Sequence, residues 1–443
     1  MLRAKLHVSM VVLALAGLAA CGKEETPGET GGKSTTSGVT GGGGQATGGG
    51  GSGGSGGETG GSGGAPVVVT PEDFEGVDVS AVPDGVAPTG CEGGFDADTG
   101  ALDLGLGGAV TTLLVGAEGG ILRANGVACT AKNGDPATLG ALRSIKVLGT
   151  AADETVILDL AHQPFGQGLL VDGAGITVDL GDGNDAFLLR GSYGVDQIAA
   201  GTDKGAPAFD LDSNGKADTF VAGAESLTVS FGPGNDVFHA SGIGSGAPLA
   251  VTITAFGGAG DDRLQGGAGN DVLHGGAGDD VFETADKPDG KDVYDGGDGQ
   301  DLVDYRKRTA PLAISLDGQA NDGESGEHDE LQASMEGMIG GSGDDVLLGG
   351  PGDDQIHGGA GNDLLRGGAG SDTLRGEDGD DVLEGEDGDD YLYGDAGDDQ
   401  VSGGPGSDML DGGGGKNLLD AGASDGDICI ASPTDIVLAC ELY

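Results

Sequence analysis

Residues 340–420 divide without remainder into nine consecutive nonapeptides: GGSGDDVLL, GGPGDDQIH, GGAGNDLLR, GGAGSDTLR, GEDGDDVLE, GEDGDDYLY, GDAGDDQVS, GGPGSDMLD and GGGGKNLLD. The shared pattern is G-G-x-G-x-D-x-U-x, with U a large apolar residue. Three further copies run from Gly257 to Glu283 and another from Gly296 to Asp304. Glycine at positions 1, 2 and 4 reaches backbone angles closed to other residues, so each unit can turn tightly and present carbonyls inward. The last three residues are too short for a helix and long enough for a strand. Their middle residues (Leu347, Ile356, Leu365, Leu374, Leu383, Leu392, Val401, Leu410 and Leu419) supply one inward side chain per strand. A disordered Gly/Asp spacer is the competing reading, but disorder does not require an apolar residue at every eighth position.

Position 6 adds one carboxylate per unit, and carboxylate with carbonyl oxygens in a flexible cage suits a hard cation such as Ca²⁺. The pattern resembles the haemolysin-type calcium-binding repeats of the RTX family. That resemblance implies a parallel β-roll with two nonapeptides per turn, repeat n stacking on repeat n+2. One edge then carries Asp345, Asp363, Asp381 and Asp399, and the other Asp354, Asp372, Asp390 and Asp408. Asp262, Asp271, Asp280 and Asp301 take the same place in the first block. Carboxylates at the 4.7–4.9 Å strand spacing repel by about 1 kcal/mol in water and about 3.5 kcal/mol at an effective dielectric of 20. Residues 340–420 hold 21 Asp and Glu against Arg366, Arg375 and Lys416. Without a cation such a roll opposes its own formation, so binding of multiple Ca²⁺ ions and folding are expected as one event.

Composition agrees with a thin core. The 443 residues include 99 glycines, no tryptophan and 4% aromatics, which argues against one aromatic-rich globular core and for a solenoid. The formal net charge of −54 excludes nucleic acid and anionic membrane faces as partners and leaves divalent cations or basic partners.

The chain opens with a basic start at Arg3 and Lys5, an apolar run over Val8–Ala20, and Leu18-Ala19-Ala20-Cys21. The run is short for a bilayer span and reads as an export signal, residues 1–20. Its end resembles a bacterial lipobox, which implies cleavage before Cys21 and lipid on that residue; ordinary signal cleavage near Ala20 is the alternative. Gly22 after the cysteine, by the same resemblance, implies the outer membrane. Contact with membrane is then through the lipid anchor alone. Residues 21–65 are a flexible Gly/Ser/Thr-rich linker with an r.m.s. reach of roughly 35–40 Å.

Residues 66–256 read as an irregular, β-rich, solenoid-like region. Short strands are expected at Thr111–Val115, Ile121–Leu122 and Ile145–Leu148. From about residue 149 the nonapeptide surfaces in decayed form: GTAADETVI with Glu154, LGDGNDAFL with Asp185, and FGPGNDVFH with Asp236. In DLDSNGKAD, Asp210, Asp212, Asn214, Gly215 and Asp218 match the opening of an EF-hand-type calcium loop, but Val221 stands where its bidentate Glu belongs. A calcium site and a polar β-turn are both open readings there.

The first repeat block spans 257–304 and the second 340–420. Between them the insert 305–339 has a basic start (Arg306, Lys307, Arg308), a strand at Leu312–Leu316 and an acidic loop at Asn321–Glu330. It resembles inserts that recur between such blocks. The basic residues are expected to neutralise acidic neighbours; binding a partner is the alternative, and the acidic loop is a further candidate Ca²⁺ site. Asn417 in place of the position 6 aspartate is expected to end the ladder. Residues 421–443 are expected to cap the open end of the solenoid with a Cys429–Cys440 hairpin, which resembles the ends of other secreted repeat proteins. Cys91 and Cys129 make the second expected pair.

The six histidines form no H-E-x-x-H, and no credible nucleophile elbow, phosphate loop or pore-forming helix is present. The expectation is therefore an all-β, non-enzymatic, exported calcium-binding protein, lipid-anchored at the outer membrane or cell surface or else extracellular, with a structural or adhesive role. The alternative is an adhesin or carbohydrate-binding module, or a small β-helix polysaccharide lyase or epimerase, in residues 66–256. A cell-surface or matrix glycan would then be the partner.

Overall fold

The computed structural model describes residues 85–107, 110–161, 175–422 and 426–442, together with Phe74, Val79, Val82 and Pro83. The signal, Cys21 and the linker lie outside the described residues. All described regular structure is β, from Ala101–Gly105 to Glu441–Leu442.

In the second repeat block each strand is followed by a turn, and successive strands go to opposite walls. Leu347, Leu365, Leu383, Val401 and Leu419 are in register on one wall. Ile356, Leu374, Leu392 and Leu410 are in register on the other. Partners are eighteen residues apart, so two nonapeptides make one coil. All nine side chains are buried, Val401 at 2% being the most exposed. The chain is a parallel β-roll over this block.

One wall is continuous. It contains seventeen strands, beginning with Ala101–Gly105 paired to Ser144–Thr150 and ending with Ile428–Ile430 paired to Glu441–Leu442. The other side is built from two sheets in succession. A ten-stranded sheet includes Thr112–Glu118 and ends at Glu330–Leu331, and an eight-stranded sheet includes Leu312–Ser315 and Ile436–Leu438. The expected strands of residues 66–148 are present as Thr112–Glu118, Ile121–Ala124 and Ser144–Thr150. Larger side chains fill the core before the regular repeats, where Phe187, Phe209, Phe231 and Phe238 are buried, and Phe282 is buried in the first block.

The insert is a coil of the same solenoid rather than a break in it. Glu330–Leu331 closes the ten-stranded sheet on Val293–Asp298, Leu312–Ser315 starts the eight-stranded sheet on Val346–Leu348, and Gly337–Ile339 stays in the continuous wall. Arg308 locks this junction. It is fully buried, and its guanidinium donates to Glu327 (2.6 and 3.1 Å), Asp289 (3.2 Å), Glu324 (3.4 Å) and the Ala285 carbonyl (2.8 Å). Arg306 pairs with Asp304, and Lys307 with Glu283.

The carboxyl end differs from the expected hairpin. Ile428–Ile430 and Ile436–Leu438 do not pair with each other; each adds in parallel to a different wall. The segment is one more coil, because Asp427-Ile-Cys-Ile and Asp435-Ile-Val-Leu keep the carboxylate-strand pattern although the full G-G-x-G run is lost. Cys429 is disulfide-bonded to Cys440, and Cys91 to Cys129, with Cα atoms 5.8 and 4.4 Å apart.

Close stacking explains the fourth-position glycines. A Cβ on Gly379, at φ +150°, would collide with the carbonyl oxygen of Gly361 in the neighbouring coil. Gly352 holds the same motif position, yet a Cβ there meets nothing within 4 Å. Gly379→Ala is therefore expected to lower stability in saturating Ca²⁺ by about 3 kcal/mol, as backbone collision and strain combine. Gly352→Ala should be close to neutral in the same denaturation experiment.

Candidate metal centre

Each position 6 aspartate spends its two oxygens differently. Past the first unit on each edge of the second block, Oδ1 accepts the backbone N–H of the aspartate one coil earlier. Asp345 donates to Asp363 (2.8 Å), Asp363 to Asp381 (2.8 Å), and Asp381 to Asp399 (3.0 Å) on one edge. Asp354 donates to Asp372 (2.8 Å), Asp372 to Asp390 (2.9 Å), and Asp390 to Asp408 (3.0 Å) on the other. The predicted stacks are thus hydrogen-bonded ladders, and they use the carboxylates for backbone satisfaction as well as for charge. Oδ2 is the open valence. In Asp363, Asp372, Asp381, Asp390, Asp399 and Asp408 it is buried with no donor among the described residues. Only at the block starts does a donor reach it, from Gly341 to Asp345 and from Gly350 to Asp354.

Asn417 shows what Oδ2 faces. Its Oδ1 continues the ladder by accepting Asp399 N–H (2.8 Å), and its own N–H donates to Asp435 (3.0 Å). The ladder does not end there, contrary to expectation; on the other edge Asp408 likewise donates to Asp427. The amide Nδ2 of Asn417 donates to the carbonyls of Gly412 (2.6 Å) and Gly414 (3.4 Å), positions 1 and 3 of its own repeat. A Cβ on Gly412 would meet that Nδ2, just as a Cβ on Gly358, Gly367 or Gly376 would meet the Oδ2 of its own repeat's aspartate. In the repeats of Asp363 to Asp408 a carboxylate oxygen takes the place of the amide nitrogen and has no donor among the described residues. An oxygen-only cage of carboxylate and carbonyls fits Ca²⁺. The ladder aspartates with the position 1 and 3 carbonyls would hold it, and the ion would supply the charge that the missing donors do not.

The ladder extends well before the regular repeats. Glu154 N–H donates to Asp185, and Asp185 N–H to Glu225. Asp196 donates to Asp236, Asp236 to Asp262, Asp262 to Asp280, Asp280 to Asp301 and Asp301 to Glu336. Asp271 accepts from Ile253 and donates to Asp292, which donates to Asp329. Oδ2 is again without a donor in Asp185, Asp236, Asp262, Asp280 and Asp301, whereas Gly267 donates to that of Asp271. Asp196, Glu225, Asp292, Asp329, Glu336, Asp427 and Asp435 escape a search for glycine-rich nonapeptides. The signal that finds several of them is an aspartate set before a strand whose second residue is apolar. A second ladder also escapes it: position 5 side chains accept from the next coil, as Asp344 does from Asn362 (2.9 Å) and Asp380 from Asp398 (2.8 Å).

The insert is not another such cage. Glu324 and Glu327 face Arg308, Asp322 accepts from Ser315 and Leu331, and Asp329 accepts from Asp292 and the Tyr305 hydroxyl. The segment 210–218, open to a calcium site or a polar β-turn, is the turn of an antiparallel hairpin, Ala206–Asp210 with Thr219–Ala222. One ligand atom from each of Asp210, Asp212 and Asp218 lies within 4.8 Å of the others. The Oδ1 of Asn214, in contrast, accepts Lys216 N–H (2.9 Å).

Glu377, Glu386 and Asp395 stand at the second glycine position with φ of 75°, 71° and 64°, in the left-handed region. They therefore carry backbone strain of about 1–3 kcal/mol each. Glu377 accepts from His357 at 3.1 Å when that nitrogen is protonated, and Asp395 pairs with Arg375 at 3.2 Å.

Burial pushes the ladder carboxyls up, and neighbouring carboxylates add to it. Asp262 reaches about 8, Asp280 and Asp363 about 7, and Asp372, Asp381, Asp390, Asp399 and Asp408 about 6. The model of the RTX calcium-binding nonapeptide repeat (4 copies) matches residues 254–285, 339–374, 366–401, 375–410 and 393–428. Over these residues the chain carries RTX-type calcium-binding nonapeptide repeats, which supports calcium binding with a structural role. No curated protein matches the chain.

Two outcomes follow from the two-oxygen division. Asp381→Asn keeps the ladder acceptor and gains a donor for the carbonyls of Gly376 and Asp378, as Asn417 has. Asp381→Ala leaves the Asp363 N–H buried without an acceptor, at a cost of about 1–3 kcal/mol. By far-UV circular dichroism in chelator Asp381→Asn should keep more β signal than the wild type and Asp381→Ala less; in urea melts at saturating Ca²⁺ the wild type should lead.

The pH dependence has a definite sign. Carboxyls whose folded pKa is raised from 3.8 to about 6–8 favour the fold while protonated, and that contribution is lost as pH rises through 6–8. By far-UV circular dichroism the metal-free chain should therefore hold more β signal at pH 5 than at pH 8. Ca²⁺ should bind more weakly at pH 5, because protons compete for the same oxygens.

Proposed function

We propose that this chain is an exported, surface-tethered, non-enzymatic lipoprotein whose β-roll folds when it takes up external Ca²⁺. Cys21 carries the lipid, residues 22–65 are the tether, and the roll is the rigid body held away from the membrane. The observation that carries the reading is the file of buried Oδ2 atoms, from Asp363 to Asp408, without donors among the described residues, at the place where Asn417 directs its amide to carbonyls of its own repeat. A fold with that many unmet acceptors is poorly stable until cations arrive, which suits a protein that folds only after leaving a compartment low in Ca²⁺. The role follows from the shape of the response: a thin solenoid set rigid by Ca²⁺ serves as a structural or adhesive element at the cell surface, where a glycan is the partner class that its position favours. The absence of any recognised catalytic motif supports the non-enzymatic reading.

Far-UV circular dichroism of the chain carrying Cys21→Ser, titrated with Ca²⁺ and reversed with chelator, tests coupled folding. A cooperative gain of β signal that Mg²⁺ does not reproduce is the expected result. Full β signal in chelator would overturn it.

A further inference from the structure

The hairpin loop 211–218 lies outside the ladders. Asp218 precedes the strand Thr219–Ala222 as ladder aspartates precede theirs, but it accepts no N–H from a neighbouring coil. Instead its Oδ2 accepts the Leu211 N–H of its own loop at 2.8 Å. Its Oδ1 is buried and has no donor among the described residues, and the residue as a whole is 0% exposed. Asp210, also buried at 1% exposure, is turned the same way. It accepts the N–H groups of Asp212 (3.3 Å), Asn214 (3.2 Å) and Gly215 (2.7 Å), which wrap the loop around it. Asp212 completes the group from the solvent side. One ligand oxygen from each of the three lies within 4.8 Å of the others.

Two buried carboxylates and one exposed carboxylate at this separation repel one another, and the donorless oxygen of Asp218 adds a desolvation cost that no side chain relieves. A β-turn built only for shape would not need Asp218 aimed inward. We propose that Asp210, Asp212 and Asp218 form a separate single-ion Ca²⁺ site, which fixes the hairpin where it leaves the coil and works independently of the ladder ions. The donors are all oxygen, and Asp212 alone of the three is exposed to solvent. This favours a hard cation of flexible coordination over a transition metal, and Ca²⁺ over the smaller and more exacting Mg²⁺. Val221, the residue that lacks a carboxylate at the EF-hand's twelfth place, is buried in the core at 1% exposure, so the site closes with Asp218 rather than beyond it.

Hydrogen–deuterium exchange of the full chain, read by mass spectrometry in saturating Ca²⁺, separates this site from the ladder. The probe variant is Asp212→Asn: the residue is exposed, and asparagine keeps the oxygen that accepts Asn214 N–H. Amides 211–218 should exchange at least tenfold faster in this variant than in the wild type, with protection over 340–420 equal in both. Equilibrium dialysis against Ca²⁺ should show one ion fewer bound. Equal exchange over 211–218 in wild type, Asp212→Asn and Asp218→Asn, or an unchanged ion count, would overturn the site. Should 340–420 show no Ca²⁺-dependent protection while 211–218 does, the coupled-folding reading fails and this site stands.

Discussion

The structure depends on how one carboxylate divides its two oxygens. The first oxygen ties each coil to the one before it through a backbone N–H, and the second is left buried among carbonyls. Stacking therefore creates both the order of the roll and its electrostatic problem. One apolar side chain per nine ordered residues is a thin core against the entropy of fixing that backbone. The oxygens left without protons then decide whether the coil persists. Protons or cations can answer them; the protons leave as pH rises through 6–8, and cations then remain.

The junction at residues 305–339 solves the same problem internally. There the ten-stranded sheet stops and the eight-stranded sheet starts, and acidic side chains from both sides converge. The Arg308 guanidinium sits buried among them with Glu327, Asp289 and Glu324. A buried charge cluster of this kind is costly to break, because removing the cation leaves carboxylates uncompensated. The coil that joins the two blocks thus carries its own positive charge, while the blocks on either side take theirs from solution.

Much of this was legible in the sequence where local and global requirements coincide. The nine-residue period gave the coil, and its doubling gave the register of Leu347 with Leu365 and of Ile356 with Leu374, because position 8 must point inward each time. The decayed units around Glu154, Asp185 and Asp236 were legible for the same reason. Ladder members outside the full G-G-x-G run were not. Asp292, Asp427 and Asp435 keep their place because the preceding coil's N–H needs an acceptor, a tertiary demand with no local period. The reading of Asn417 as a terminus failed on the same point: an amide meets the ladder's need for an acceptor as well as a carboxylate does, and supplies its own donor besides. The hairpin expected at the carboxyl end gave way to another coil, since stacking on an existing wall pairs strand edges that a two-stranded hairpin would leave open.

The two-nonapeptide coil constrains how such a chain can change in length. The continuous wall and its interrupted counterpart are distinguished by the junction at one end and by Cys429 at the other. Gain or loss of eighteen residues within 340–420 returns every later strand to its own wall. Gain or loss of nine exchanges the walls for all that follows, and moves Cys429 and its partner strand to the opposite face. Repeat number in a protein of this design is therefore quantised in pairs, with odd changes disfavoured by its ends rather than by the repeats themselves.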